Sequence, residues 1–273
     1  MKWTKDEALT AVQSRYGRIA RTVQDEQPAE PVLNSDDCRQ ASLHMGYSAD
    51  DLDDDPGGNL GLGCGNPLAI DALETGDTVV DLGSGAGFDA FIAARKVGST
   101  GTVIGIDMSE DMIALGRRNA EKAGLEQVTF RHAQIEELPI AEGTVDAVIS
   151  NCVINLSPDK GRVFAEAWRV LRPGGWLSVT DVLLNAPLPA ALLDDLSTYA
   201  GCISGAEQKE DYLDYLRRAG FADIRVLHEN DVLSIVPDEL LAKLIARIGL
   251  PPETLTSLRE SEIVSAHIQA IKQ

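Results

Sequence analysis

A short apolar run, Thr78–Leu82, is separated from the helical pattern Phe88–Val97 by three glycines at alternate positions, 83, 85 and 87. Glycine takes up the positive φ values of so tight a strand-to-helix turn at little cost, and it lets a ligand come close to the backbone. The plan repeats downstream. Thr102–Ile106 is a second strand ending at Asp107, and Ser109 opens a helix, with Asp111 in its first turn, that runs to Ala123-Gly124. Val128–His132 and Val145–Ser150 are further strands, Pro158–Leu171 is a helix, and Trp176–Asp181 is a fifth strand. Strands alternating with helices predict an α/β fold with a doubly wound, mostly parallel, Rossmann-like sheet. A ligand belongs outside the carboxyl ends of the strands, where the strand order reverses.

Asp223–Leu227 and Ile263–Ile271 bring the expected strands to seven. In the second of these, Ile263, Ser265, His267, Gln269 and Ile271 share a face. Between them Pro237–Glu260 reads as a helical insertion, with Leu240, Leu241, Leu244, Ile245 and Ile248 at helical spacing. The chain divides into an N-terminal extension (1–77) carrying Cys38 and Cys64, a core (78–224) and a C-terminal part (225–273) that completes the sheet. In the extension, Thr4-Lys-Asp-Glu7 is a capping box, and Leu9, Val12, Tyr16, Ile19 and Val23 form an apolar stripe behind it. That helix either packs plainly on the core or acts as a lid with Tyr16 pointing into the ligand pocket. The acidic run 50–56 lacks calcium-loop spacing and reads as a solvated turn.

Charge and thiol content narrow the function classes. There are 24 Lys and Arg against 43 Asp and Glu, a formal net charge of −19, which argues against nucleic acid or an anionic membrane as partner. No apolar run reaches the length of a membrane span, and the first residues carry no signal-peptide pattern, so the cytoplasm is expected, while the acidic surface leads to the expectation of a monomer. The four cysteines, 38, 64, 152 and 202, include no Cys-x-x-Cys pair, which argues against a structural metal. Cys64 and Cys202 sit beside glycines and Cys152 ends a strand. A cysteine is most often a small buried hydrophobe, but three in such settings suggest accessible thiol chemistry.

Asp81 stands two positions before the first glycine, in the pattern Asp-x-Gly-x-Gly-x-Gly rather than the Gly-x-Gly-x-x-Gly of dinucleotide sites. The stretch Asp81-Leu-Gly-Ser-Gly-Ala-Gly-Phe-Asp89 resembles class I methyltransferases, which implies S-adenosylmethionine (SAM) as cofactor. Asp81, Gly83, Ser84, Gly85 and Gly87 would cradle it, and Asp107, 20 residues beyond Gly87, would grip a ribose. Met108 and Ile135 would lie against the adenine, with Asn151 and Cys152 facing the transferable methyl group. The four histidines (44, 132, 228 and 267) form no evident constellation, so a histidine base is not indicated.

Further blocks make the resemblance specific. His44-Met-Gly-Tyr-Ser48, Asn59-Leu-Gly-Leu-Gly-Cys-Gly-Asn-Pro67, Ser150-Asn-Cys-Val-Ile-Asn-Leu-Ser-Pro-Asp-Lys160 and Tyr199-Ala-Gly-Cys202 are similar to the arsenite methyltransferase family. The similarity runs from about Tyr16 to the C-terminus and is less distinctive after 225. It implies that Cys152 and Cys202 bind trivalent arsenic and that Cys64 is a third ligand. It further implies that Cys38 is the disulfide partner of Cys64 during turnover. Arsenite or methylarsenite would be the substrate, and a thioredoxin or glutathione system the reductant.

The chemistry is consistent with that implication. Trivalent arsenic is soft and suits thiolates. Three thiolates leave its lone pair free to attack a sulfonium methyl in line. Holding both reactants close supplies ~7–11 kcal/mol of the barrier. The transfer raises arsenic's formal oxidation state by two, hence the reductant. Two alternatives stand beside this reading: a quinone- or sterol-type methyltransferase with structural cysteines, and a thiol protein that sequesters or senses metalloids.

Overall fold

The computed structural model describes residues 4–25, 35–69, 72–188, 199, 204–234, 238–247 and 251–273. Within them, β1 (Thr78–Leu82), β2 (Thr102–Asp107), β3 (Val128–His132) and β4 (Val145–Asn151) are joined by α4 (Phe88–Val97) and α5 (Glu110–Ala123). Then follow α6 (Lys160–Val170), β5 (Leu171–Leu184), the two-residue β6 (Glu207–Gln208) and α7 (Lys209–Ala219). β7 (Phe221–Asp231), α8 (Asp238–Arg247), α9 (Thr254–Glu260) and β8 (Ile263–Lys272) close the chain. Ahead of the sheet lie α1 (Lys5–Asp25), α2 (Ser35–His44) and α3 (Ala49–Asp53).

The sheet has eight strands in the order β3-β2-β1-β4-β5-β8-β7, with β6 paired to β5 off that path. β1 to β5 pair in parallel, whereas β8 runs antiparallel between β5 and β7. The expected seven strands are present, and the short β6 is the eighth. Strand order reverses between β1 and β4, which flank the glycine turn.

The parallel strands are buried on both faces, as the burial of every residue from Val79 to Leu82 indicates. Val80, Leu82 and Val148 pack with Phe164 and Tyr212 of α6 and α7. Val79, Val103 and Ile149 pack on the other face with Phe91 and Ile113 of α4 and α5. Local sequence sets the helix ends: Ser109 Oγ accepts from Met112 N–H at 3.3 Å, and Gly124, in the left-handed region, ends α5.

Several sequence expectations change in detail. α7 is a helix beyond those expected, with Tyr212, Leu213 and Leu216 at helical spacing and Gly220 (φ 102) as its stop. The helical insertion is two helices, α8 and α9, and Ile248 lies outside the described residues. The boundary at 224/225 falls inside β7, which continues to Asp231. The stripe on α1 ends early, because Val23 is 36% exposed while Ala8, Val12, Ile19 and Ala20 are buried. The acidic run 50–56 is more ordered than a solvated turn. Ser48 and Asp51 form a capping box on α3, and Asp55 accepts from Gly58 N–H at 2.8 Å and Asn59 N–H at 2.9 Å.

Candidate active site

The carboxyl ends of β1, β2 and β4 open into one pocket, roofed by α1 and by the loop before β1. The turn after β1 has φ values of 67, 53 and 102 at Gly83, Gly85 and Gly87. A Cβ at Gly85 would meet nothing within 4 Å, so the chain leaves open space there. At Gly87 it would lie 2.4 Å from Phe91 Cζ and 2.8 Å from Phe130 Cζ. Asp81, Gly83, Ser84, Gly85, Asp107, Met108, Ile135, Asn151 and Tyr16 all line the pocket, and Gly87 does not. The third glycine therefore allows close helix–sheet packing against Phe91 and Phe130.

Asp107 is held in place by Gly85 N–H to Oδ2 at 3.0 Å and Ser109 N–H to Oδ1 at 2.8 Å. Burial raises its pKa against those hydrogen bonds. Asp81 is buried and pushed well above the usual carboxylate range, by desolvation and then by the charges of Asp89 and Asp107. The Met108 carbonyl accepts from Gln13 Nε2 of α1 at 3.1 Å and is hydrogen-bonded to His132 Nε2 at 2.9 Å. Leu9, Val12, Gln13 and Tyr16 all face the pocket, so α1 covers it as well as packing on α5.

A polar network links this pocket to the thiols. Tyr47 Oη hydrogen-bonds Asp89 Oδ1 at 2.6 Å and lies 3.0 Å from Gly65 O. Asn151 Nδ2 lies 2.8 Å from Gly65 O and 3.0 Å from Asp89 Oδ2. Asn151 Oδ1 accepts from Cys64 N–H at 3.0 Å and Thr180 Oγ1 at 3.1 Å. Burial raises Asp89 to about 6 against the hydrogen bonds from Tyr47 and Asn151. The glycines flanking Cys64 permit this approach: a Cβ at Gly63 would sit 2.7 Å from Asn151 Nδ2, and one at Gly65 2.9 Å from Thr180 Cγ2. Ser265 Oγ donates to Cys64 O at 2.6 Å, tying the same loop to β8.

Cys152 follows β4 with φ 58, a region that non-glycine residues rarely occupy. Its N–H donates to Thr180 O at 2.8 Å. Cys64 Sγ, Cys152 Sγ and a carboxylate oxygen of Asp181 lie within 4.8 Å of one another. Asp181 is fully buried and raised to about 7 by desolvation, against hydrogen bonds from Tyr212, Val182 and Asn155 and the nearby charge of Lys160. Cys38 is buried on α2, where desolvation and then Asp37 raise its pKa. None of the described cysteines is in a disulfide. Cys202, expected beside Cys152, lies outside the described residues. Sequence analysis gave no role to Tyr47, Asp89 or Asp181. Tyr47 and Asp89 lie in blocks that carry the family resemblance, and Asp181 is the acid that ends the expected fifth strand at the same rim as Cys152.

The pocket suits a nucleoside cofactor bearing a charged tail. Gly85 leaves room against the backbone, the buried Ser84 hydroxyl has no hydrogen-bond partner, and Asp107 presents a fixed carboxylate. No helix among the described residues is long and apolar enough to cross a membrane.

Comparison with known proteins gives a consistent picture. A family profile described as a methyltransferase domain matches residues 73–220. An arsenite methyltransferase of Halobacterium salinarum is 41% identical over 242 residues, covering 85% of this chain and 62% of its own length. An arsenite methyltransferase of Aquipseudomonas alcaligenes is 42% identical over 189 residues, 67% of this chain and 54% of its own. This chain thus spans less than two thirds of either curated relative. The crystal structure of an arsenic(III) S-adenosylmethionine methyltransferase from Chlamydomonas reinhardtii superposes with a TM-score of 0.62 at 32% identity, covering 86% of this chain and 72% of that one.

Proposed function

Since the chain belongs to the arsenite methyltransferase family within the methyltransferase-domain proteins, we propose that it methylates trivalent arsenic, as arsenite or methylarsenite, using S-adenosylmethionine. The observation that carries this reading is the approach of Cys64 and Cys152, from an N-terminal loop and the end of β4, to within 4.8 Å beside the cofactor-type pocket.

The cofactor supplies an electrophilic methyl group on a sulfonium centre. Asp107 and the turn at Gly83–Gly85 would hold its nucleoside end, and Asp81 would face its charged amino-acid end. Cys64 and Cys152, with Cys202 as the third donor, bind arsenic as thiolates and give up their protons on doing so. Thiolates would replace hydroxide on arsenic and enrich the lone pair that attacks the methyl group. The helix α1, through Leu9, Val12 and Tyr16, screens the pocket from water. Cys38 and Cys64 then supply the two electrons that return arsenic to the trivalent state, closing a disulfide. Thioredoxin or glutathione reopens it, and the cell is relieved of arsenite in its cytoplasm.

The test is purified protein with arsenite, S-adenosylmethionine and excess thiol, with arsenic species separated by chromatography and detected by mass. Methylated arsenic that disappears in Cys152→Ser supports the reading. Binding of the cofactor without methylated arsenic would redirect it to an organic acceptor.

A further inference from the structure

The arsenic reading uses sulfur alone, yet the thiols come with a carboxylate. We propose that Cys64, Cys152 and Asp181 also form a binding site for a thiophilic divalent cation of the zinc or cadmium kind, which occupies the thiols in place of arsenic. The site itself follows from the donor set and is independent of the methylation reading; only the competition with arsenic rests on it.

The donors fit such a cation in kind and in spacing. Two sulfurs and one carboxylate oxygen lie within 4.8 Å of one another. Tetrahedral zinc, with bonds of ~2.0–2.3 Å, needs neighbouring donors ~3.5–3.8 Å apart, a contraction that small side-chain rotations supply. Zinc and cadmium accept thiolate and carboxylate together, whereas arsenic is matched by thiolates. Asp181 thus adds affinity for the cation that it does not add for arsenic.

Asp181 is also oriented in the manner of a metal ligand. Its Oδ2 accepts from Asn155 N–H at 3.1 Å and Tyr212 Oη at 3.0 Å, and its Oδ1 accepts from Val182 N–H at 3.0 Å. Hydrogen-bonded partners of this kind fix a ligating carboxylate and support its affinity. Cys152 is equally constrained, by its positive φ and by its N–H bond to Thr180 O. Cys64, half-buried on its loop, is held at its N–H by Asn151 and at its carbonyl by Ser265. Two thiolates and a carboxylate carry three negative charges into a buried site, and a divalent cation offsets two of them. On binding, the thiol protons and any proton on the Asp181 carboxyl pass to solvent, and no electron moves.

The experiment is titration of the full, reduced protein with cadmium chloride, without arsenic or methyl donor. Heat is followed by calorimetry and thiolate-to-cadmium charge transfer by ultraviolet absorbance. Wild type should take up cadmium at this site with a charge-transfer band, and Cys152→Ser should lose both. Asp181→Asn should bind ~10–100-fold more weakly, and Asp181→Glu should recover part of that loss. If Asp181→Asn does not fold, Cys64→Ser on the loop decides the matter through the same two signals. Wild-type cadmium affinity in Asp181→Asn, or in Cys64→Ser where the former is unfolded, overturns the site, as does a wild-type protein that binds no cadmium. Absence of methylated arsenic in the assay above leaves this result untouched, so the two readings fail separately.

Discussion

The main-chain N–H of Cys64 donates to Asn151 Oδ1 at 3.0 Å, joining residues 87 positions apart. Asn151 lines the pocket at the end of β4 and also contacts Asp89 and Gly65. One amide therefore sets the position of a thiol relative to the cofactor turn.

Replacing that amide should show both roles. Asn151→Ala strands Cys64 N–H and Thr180 Oγ1 and removes the donor to Gly65 and Asp89. The expected loss is about 2–3 kcal/mol in denaturant unfolding, from several buried hydrogen bonds at about 1 kcal/mol each. Arsenic methylation should fall further than this stability loss explains, as measured at a temperature where the variant is fully folded.

The glycines of the turn should separate stability from binding. Gly85→Ala meets no protein atom within 4 Å and costs about 1–2 kcal/mol of backbone strain, but its methyl projects into the cofactor's space. Gly87→Ala drives a methyl into Phe91 and Phe130 and should cost about 2–4 kcal/mol. Calorimetric S-adenosylmethionine binding should suffer more in Gly85→Ala, and the melting temperature more in Gly87→Ala. The reverse ranking would show that the packing glycine has been misassigned.

Cys38→Ser should complete one methyl transfer and then stall when thioredoxin is the reductant, because the thiol that closes the disulfide with Cys64 is gone while Cys152 and Cys202 serve as arsenic ligands. Rapid-quench measurement of product per enzyme reads this directly. Sustained turnover by the variant excludes Cys38 from the redox step.

The Asp181 carboxyl, raised from 3.8 to about 7 by burial, should make stability fall as pH rises. Between those values the folded protein keeps a proton that the unfolded chain has released. Its contribution is therefore full below the unfolded pKa and lost as pH climbs through the folded one. Relative to Asp181→Asn, wild type should lose up to about 1.4 kcal/mol per pH unit across that window and nothing on either side. His267, lowered to about 4 by burial, acts with the opposite sign, but it is common to both proteins and drops out of the difference. A pH-independent difference would mean that Asp181 is ionised in the fold throughout.

What could be read from the chain alone was what neighbouring residues decide. The alternation of strands and helices, the glycine turn, the Ser109 and Gly124 caps, the Thr4–Glu7 box and the position of Asp107 all follow from period, φ preference and local hydrogen bonding. These act over a few residues, so their signals survive in one dimension. The same local signals are present in α7, in the spacing of Tyr212, Leu213 and Leu216 and the stop at Gly220.

The thiol–carboxylate cluster has no such local signal. Asn151 of β4 pairs with Thr180 of β5, and this register brings Cys152 and Asp181, the next residue of each segment, to the same level. Cys64 reaches them only because Gly63 and Gly65 pack against Asn151 and Thr180 and because Ser265, 201 positions away, holds its carbonyl. Tyr47 and Asp89 join the network in the same way, across 42 positions. Each of these contacts depends on which strands lie side by side and in what register. That choice is made by burying the whole sheet between its two layers of helices, a global energy that no short window of sequence contains.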